Sequence, residues 1–254
     1  MSRSLSLRAA RHFRAGTPRA AEPGARLRCL VLAPGPDWVA VDVATGALVR
    51  RFAPQARADA ESGLAATFSA VELVLAQPDE PDDPARPEAV RLAGPPTALP
   101  PPRPRAVRRL VDHLVASSPT QPLLGTLGPS IAYGDLDGSR PSIAVVEPDR
   151  LPRFGNGPTG PWCQFSLGGR RHALPVAGRL DAGFAGAAES SEPMPRSGAA
   201  GGSLPSPSRR RRRVKAAAVG AELPRWLVVA FGQPVGGQVP KVVLGALPDP
   251  RRAR

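Results

Sequence analysis

LRCLVLAPGPDWVAVDVATGALVRRF, residues 27–52, holds three short apolar runs separated by two turn signals. Leu27 to Leu32 is apolar and partly β-branched, and Pro34-Gly35-Pro36 then turns the chain. From Trp38 to Val43 the residues Val39, Val41 and Val43 alternate with Ala40 and Asp42, the period-two pattern of a half-buried strand. Ala44-Thr45-Gly46 offers a tight connection with glycine where a positive φ is needed, so Ala47 to Phe52 should return as a partner strand. Antiparallel hairpins are therefore the expected unit of construction.

Working outward, Phe68 to Ala76 reads as a further strand, ended by the acidic, proline-broken stretch Pro78 to Pro87, and Glu88 to Leu92 as a weaker one. Prolines between Gly94 and Pro104 argue against regular structure there. Arg105 to Ala116 then sets Val107, Leu110, Val111, Leu114 and Val115 at helical spacing on one face. Pro104 suits the first turn of that helix, and Ser117-Ser118-Pro119 ends it.

Beyond the helix, Ile131 to Tyr133 and Ser142 to Glu147 bracket turn residues at Asp135 to Gly138 and read as two strands joined by a short loop. In Trp162 to Val176, Gly168-Gly169 fits a two-residue hairpin turn. That register sets Phe165 opposite His172 and Cys163 opposite Leu174. A last strand pair, Arg225 to Phe231 and Val239 to Leu247, surrounds a turn at Gln233 to Gly237.

Between these hairpins, Ala182 to Ser208 is mostly Gly, Ala, Ser and Pro, with little to bury, and runs into an arginine block. Because the final hairpin needs partners, this stretch is expected to be a disordered loop inside one domain. The expectation is an α+β fold of mostly antiparallel β hairpins, a small barrel or sandwich, with one packed helix and disordered tails and insert. Residues 26–181 and 222–248 make one strand-rich domain. Residues 1–25 are a disordered basic segment, 182–214 the Gly/Ser/Pro/Arg-rich insert, and 249–254 a basic tail.

The formal net charge of +13 raises the question of where the charge resides. Met1 to Arg28 carries +6, Arg209 to Lys215 another +6, and Arg251 to Arg254 +3, which leaves −2 for everything else. A near-neutral remainder argues against a fold built to grip a phosphate backbone, whereas the basic segments remain free to do so. Only Lys215 and Lys241 are lysines, so arginine supplies nearly all the positive charge, a skew that GC-rich codons also produce. Compositional drift is accordingly one of the readings of the basic segments.

No apolar run approaches the roughly 20 residues that span a bilayer, so no membrane partner is expected. Cys29 and Cys163 are too few for a disulfide scaffold and suit an intracellular, cytoplasmic protein. The Arg- and Ser-rich start lacks the apolar core of a secretory signal, and its composition also fits an organelle transit peptide.

Candidate chemistry is sparse. Asp135-Leu136-Asp137-Gly138 resembles the opening of a calcium loop, but Arg140 and Val146 stand where such a loop needs glycine and glutamate, so a plain turn is expected. Gly155 to Gly160 and Gly232 to Gly237 read as turns, because neither opens a helix with a following lysine. His12 and His113 are dispersed and form no metal cluster, and His113 reads as a solvated helix residue. Cys163 and His172 lie diagonally across the predicted hairpin, within reach for a thiol nucleophile and its base, although no orienting carboxylate accompanies them. The segment dense enough to act alone is Arg209, Arg210, Arg211, Arg212 and Arg213, a contact for nucleic acid or an acidic protein. Without stacking aromatics nearby it offers no sequence-specific single-strand readout. The leading expectation is a non-catalytic binding or scaffold protein without a cofactor. An enzyme using Cys163 and His172 is the alternative.

Overall fold

The computed structural model describes residues 24–35, 37–51, 66–76, 83–117, 122–178 and 223–251. The expected insert 182–214, nearly all of the basic start 1–25, His12 and the last three residues of the tail lie outside the described residues.

Thirteen strands and one α-helix are described: β1 (Arg26–Ala33), β2 (Val39–Asp42), β3 (Leu48–Arg51), β4 (Ala70–Val74), β5 (Ala89–Val90), β6 (Thr97–Leu99), α1 (Pro104–Ser117), β7 (Ser130–Ala132), β8 (Ile143–Val146), β9 (Arg153–Gly157), β10 (Gly160–Leu167), β11 (Arg170–Pro175), β12 (Pro224–Phe231) and β13 (Gln238–Pro248). They form three sheets with strand orders β5-β3-β2-β1-β4-β6, β7-β13-β12-β8 and β11-β10-β9. The fold is the expected strand-rich α+β arrangement, and the six-stranded sheet curls into a half-barrel.

The four-stranded sheet is the middle layer. In β12 every residue except Arg225 is buried, and in β13 every residue from Lys241 to Pro248 is. Such continuous burial requires cover on both faces, and the two faces meet different partners. Trp226, Val228, Ala230, Val242, Leu244 and Leu247 pack in one cluster with β1, β2 and the apolar stripe of α1. Leu227, Val229, Phe231, Val239, Val243 and Ala246 pack in another with β10 and β11. Each fully buried side chain of this kind contributes about 1.5–3 kcal/mol of transfer free energy. Val228 pairs with Gly245 but Val229 with Val243, so Leu244 is an extra residue in the ladder. After that bulge the alternation of β13 reverses, which explains why Val243 and Ala246 share one face. Gly245 sits where β1 approaches most closely, since a Cβ there would lie 2.9 Å from the Ala33 Cβ.

Strands on either side of residues 179–222 hydrogen-bond to one another, β8 with β12 and β7 with β13. The ends of that stretch are also anchored on a single strand. Gly178 donates its N–H to Val243 (3.4 Å), and Pro224 pairs with Pro248.

The predicted β1–β2–β3 meander, the helix and both late hairpins are present, and Val107, Leu110, Val111 and Leu114 are the buried stripe of α1. Three local expectations are corrected. The segments around Ile131 and Ser142 do not pair with each other; β7 and β8 flank the central pair from opposite edges, β7 on β13 and β8 on β12, where Ile143 to Val146 meets the apolar run Leu227 to Ala230. Thr97–Leu99, expected to be irregular, forms edge strand β6 against β4, with the prolines flanking the three residues instead of interrupting them. The weak strand near Glu88 is only two residues long and pairs parallel with β3. The segment Gly155 to Gly160 makes the expected turn, at residues 158–159, with Gly155 and Gly157 in β9 before it; at Gly155 the Trp162 ring of β10 occupies the place of a side chain, and a Cβ would sit 2.5 Å from it.

Candidate functional site

The β10–β11 hairpin closes through Gly168 and Gly169, both at positive φ (56° and 76°), where glycine alone is unstrained. Its register pairs Cys163 with Leu174 and Phe165 with His172, as the sequence indicates. Directly opposed residues share a face, so Cys163, Phe165, Leu167, Leu174, His172 and Arg170 all face the middle layer. Cys163 and His172 are thus brought to one face, but each has a different neighbour. The His172 ring stacks on Phe165 with centroids 5.1 Å apart. The Cys163 side chain is completely buried in the apolar cluster, and burial pushes its thiol up to about 12. A thiol held that high stays protonated at neutral pH, whereas nucleophilic chemistry needs the thiolate. Cys29 is likewise fully buried, and burial together with the Asp42 charge raises its thiol.

Facing this hairpin across the sheet is Lys241 of β13, the lone lysine of the described residues and only 1% exposed. Its backbone N–H donates to Pro129 (2.7 Å), and its Nζ donates to the Thr126 carbonyl (2.6 Å). No carboxylate pairs with it among the described residues, and burial lowers its amine to about 8. His172 is held below its ordinary value by burial, then by the Lys241 and Arg170 charges. Between the 122–129 segment and β11 lies a cavity of about 170 Å³ lined by Thr126, Leu127, Pro129, Arg170, His172 and Leu174, among others. The Thr126 hydroxyl is buried and has no hydrogen-bond partner among the described residues.

A second polar cluster joins the sheets. Arg50 of β3, wholly buried, forms a two-pronged pair with Asp37 (Nε to Oδ1 3.0 Å) and donates Nη1 to the Phe231 carbonyl (2.6 Å). Arg86, 3% exposed, lies 3.7 Å from Asp83 and 4.0 Å from Asp37. Glu88 accepts from the Ser142 N–H (2.7 Å) and hydroxyl, and burial raises its carboxyl. Sequence reading missed Lys241, Arg50, Arg86 and Glu88. A lysine or arginine within an otherwise apolar strand was the available signal for the first two.

Around Asp135 to Gly138 the chain makes a turn: Ser139 donates its N–H (2.9 Å) and hydroxyl (2.6 Å) to Asp137, and these bonds lower that carboxyl. Among the described residues no three His, Cys, Asp or Glu side chains converge as metal ligands, and no helix is long and apolar enough to cross a membrane. His113 is half-buried on α1. Asp249, at the start of the expected basic tail, is held by Arg108 (2.6 Å) and Arg225 (3.4 Å). The Arg209–Arg213 block lies outside the described residues. No family model, curated protein or solved structure matches the chain.

Proposed function

We propose that this protein is a non-catalytic binding or scaffold module of the cytoplasm, in which one strand-rich domain presents the Arg209–Arg213 block to an anionic partner, nucleic acid foremost. The observation that carries the reading is the anchoring of residues 179–222. The stretch leaves at Gly178, bonded to Val243, and returns at Pro224, paired with Pro248, so both ends rest on β13 about five residues apart, roughly 16 Å at strand rise. An insertion whose two anchor points lie close together is accommodated without breaking the sheets that hold them.

Charge distribution supports the same reading. The five arginines sit inside this excursion, while the chain outside the basic segments carries a net −2. Electrostatic contact with phosphates needs density of positive charge and no particular fold. The rival thiol-enzyme reading requires an ionised Cys163, and the buried, protonated thiol weighs against it. Both cysteines are free and buried, an arrangement suited to a reducing compartment.

The test is anisotropy binding at low ionic strength to labelled duplex DNA, single-stranded RNA and polyglutamate, comparing the native chain with one carrying serine at all five positions 209–213. Loss of nucleic-acid binding in the substituted chain supports the reading. Binding of polyglutamate in place of nucleic acid would move the partner class to acidic protein, and equal binding by both chains would overturn the role of the block.

A further inference from the structure

We infer that the outward face of the three-stranded sheet β9, β10 and β11 is a platform for single-stranded nucleic acid, on which Trp162 stacks a base and Arg153 and Arg171 hold the backbone. Along β10 the buried Cys163, Phe165 and Leu167 alternate with half-buried Trp162, Gln164 and Ser166, so the second set faces away from the middle layer. Directly opposed residues share that face: Gly155 opposes Trp162, Arg153 opposes Gln164 and Arg171 opposes Ser166. Exposed Ala173 and Pro175 of β11 complete it.

Trp162 belongs to none of the apolar clusters of the core. Its ring lies flat on β9, where Gly155 and Gly157 leave bare backbone beneath it and a Cβ at Gly155 would sit 2.5 Å away. The indole Nε1 is on that underside, buried and without a hydrogen-bond partner among the described residues. The accessible part of the half-buried ring is thus apolar π surface turned away from β9, which suits a stacked base better than a polar group.

Charge selects the partner. Residues 150–178 contain Arg150, Arg153, Arg170 and Arg171 and no Asp or Glu, so the net −2 outside the basic segments divides into +4 here and −6 elsewhere. The adjoining Asp149 is engaged by the hairpin turn, accepting the Gly168 and Gly169 N–H groups at 3.0 and 2.8 Å. Arg153 and Arg171 are exposed and have no ion-pair partner among the described residues. They flank the path that runs along β10 from Trp162 over Gln164 to Ser166, with Arg153 about 7–8 Å from Trp162 at the backbone and Arg171 about 14 Å. Unpaired arginines beside a flat ring suit a polyanion that also carries bases. A neutral glycan leaves the charge unused, an acidic peptide leaves the ring unused, and a duplex keeps its bases stacked away from Trp162. This contact shares its partner class with Arg209–Arg213 but none of its residues, so either can fail alone.

The protein carries its own probe. Of its three tryptophans, Trp38 and Trp226 are 2% and 0% exposed, which leaves Trp162 to report contact through its emission. The experiment titrates the full-length chain, with serine at positions 209–213, with oligothymidylate, duplex DNA and polyglutamate, following tryptophan emission and the anisotropy of labelled oligonucleotide. The expected result is saturable quenching by oligothymidylate and none by duplex or polyglutamate. Trp162→Leu should abolish the quenching and weaken oligothymidylate binding about tenfold, the worth of one stacked base. Arg153→Gln combined with Arg171→Gln, both at exposed positions, should keep the fold and reduce the salt slope of log K by about 1.4, so this pair decides the matter should Trp162→Leu unfold. Unchanged emission with oligothymidylate, equal quenching by duplex or polyglutamate, or a salt slope unaltered by the arginine pair overturns the inference.

Discussion

Arg50 of β3 donates its Nη1 to the carbonyl of Phe231 at the end of β12, 2.6 Å away, and so ties the half-barrel to the middle sheet through one wholly buried guanidinium. The other prong of the same group holds Asp37. Arg50→Met should cost about 1–3 kcal/mol, because it leaves the buried Phe231 carbonyl without its donor and Asp37 with only the more distant Arg86. Urea unfolding measures this; a loss below about 1 kcal/mol would show that the pair contributes nothing to holding the layers together.

Glu88 binds the Ser142 N–H and hydroxyl just before β8, and its carboxyl is raised because burial disfavours the charge. A neutral amide keeps an acceptor for the N–H and avoids the buried charge. Glu88→Gln should therefore be neutral or stabilising at pH 7, whereas Glu88→Ala strands the Ser142 N–H and should cost about 1–3 kcal/mol. Equal losses in both variants would contradict the assignment.

Lys241 titrates near 8 in the fold against an ordinary value of 10.5, so between those values the unfolded chain binds the extra proton. The fold bears the full cost of the buried charge below pH 8, and this cost is relieved as pH rises, at most about 1.4 kcal/mol per pH unit. The two buried thiols act oppositely above pH 9, since only the unfolded chain ionises them. His172, whose imidazole burial holds below its ordinary value, is already neutral throughout that window. Comparing wild type with Lys241→Met at pH 7.5, 8.5 and 9.5 isolates the amine: wild type should gain on the variant with rising pH. Parallel stability curves would refute the lowered value.

Cys163 and Cys29 are both buried with raised thiols, so both should react slowly with iodoacetamide at pH 7 in the folded protein and rapidly once it is denatured. Mass spectrometry of the labelled peptides reads the two rates. Selective fast alkylation of Cys163 would reinstate the thiol-enzyme reading.

Much of this fold is written locally. The alternation around Val39 to Val43 and the glycine pair 168–169 determine their hairpins within a few residues, which is why the Phe165–His172 pairing is readable in advance. Partnership between hairpins is not local. Ile131 and Ser142 look joined in sequence because the residues between them favour a turn, yet their strands find ladders on β13 and β12 far along the chain. That Gly155 stands in the strand before the 158–159 turn follows only from the Trp162 ring that lies over it. Of the site, His172 was legible as a residue of the hairpin face, but its neighbour Lys241 was not. Lys241 sits in a run of valines where it resembles an edge residue, and its burial follows only from the layer stacked above it.

The most direct measurement is the salt dependence of nucleic-acid affinity for the native chain and for the chain with serine at 209–213. If the arginine block is the contact, log K should fall steeply with log salt, and the substitution should remove up to about 4 to 5 units of that slope on duplex DNA, one counterion per arginine. An unchanged slope, or the absence of binding even at low salt, would contradict the proposed role of the block.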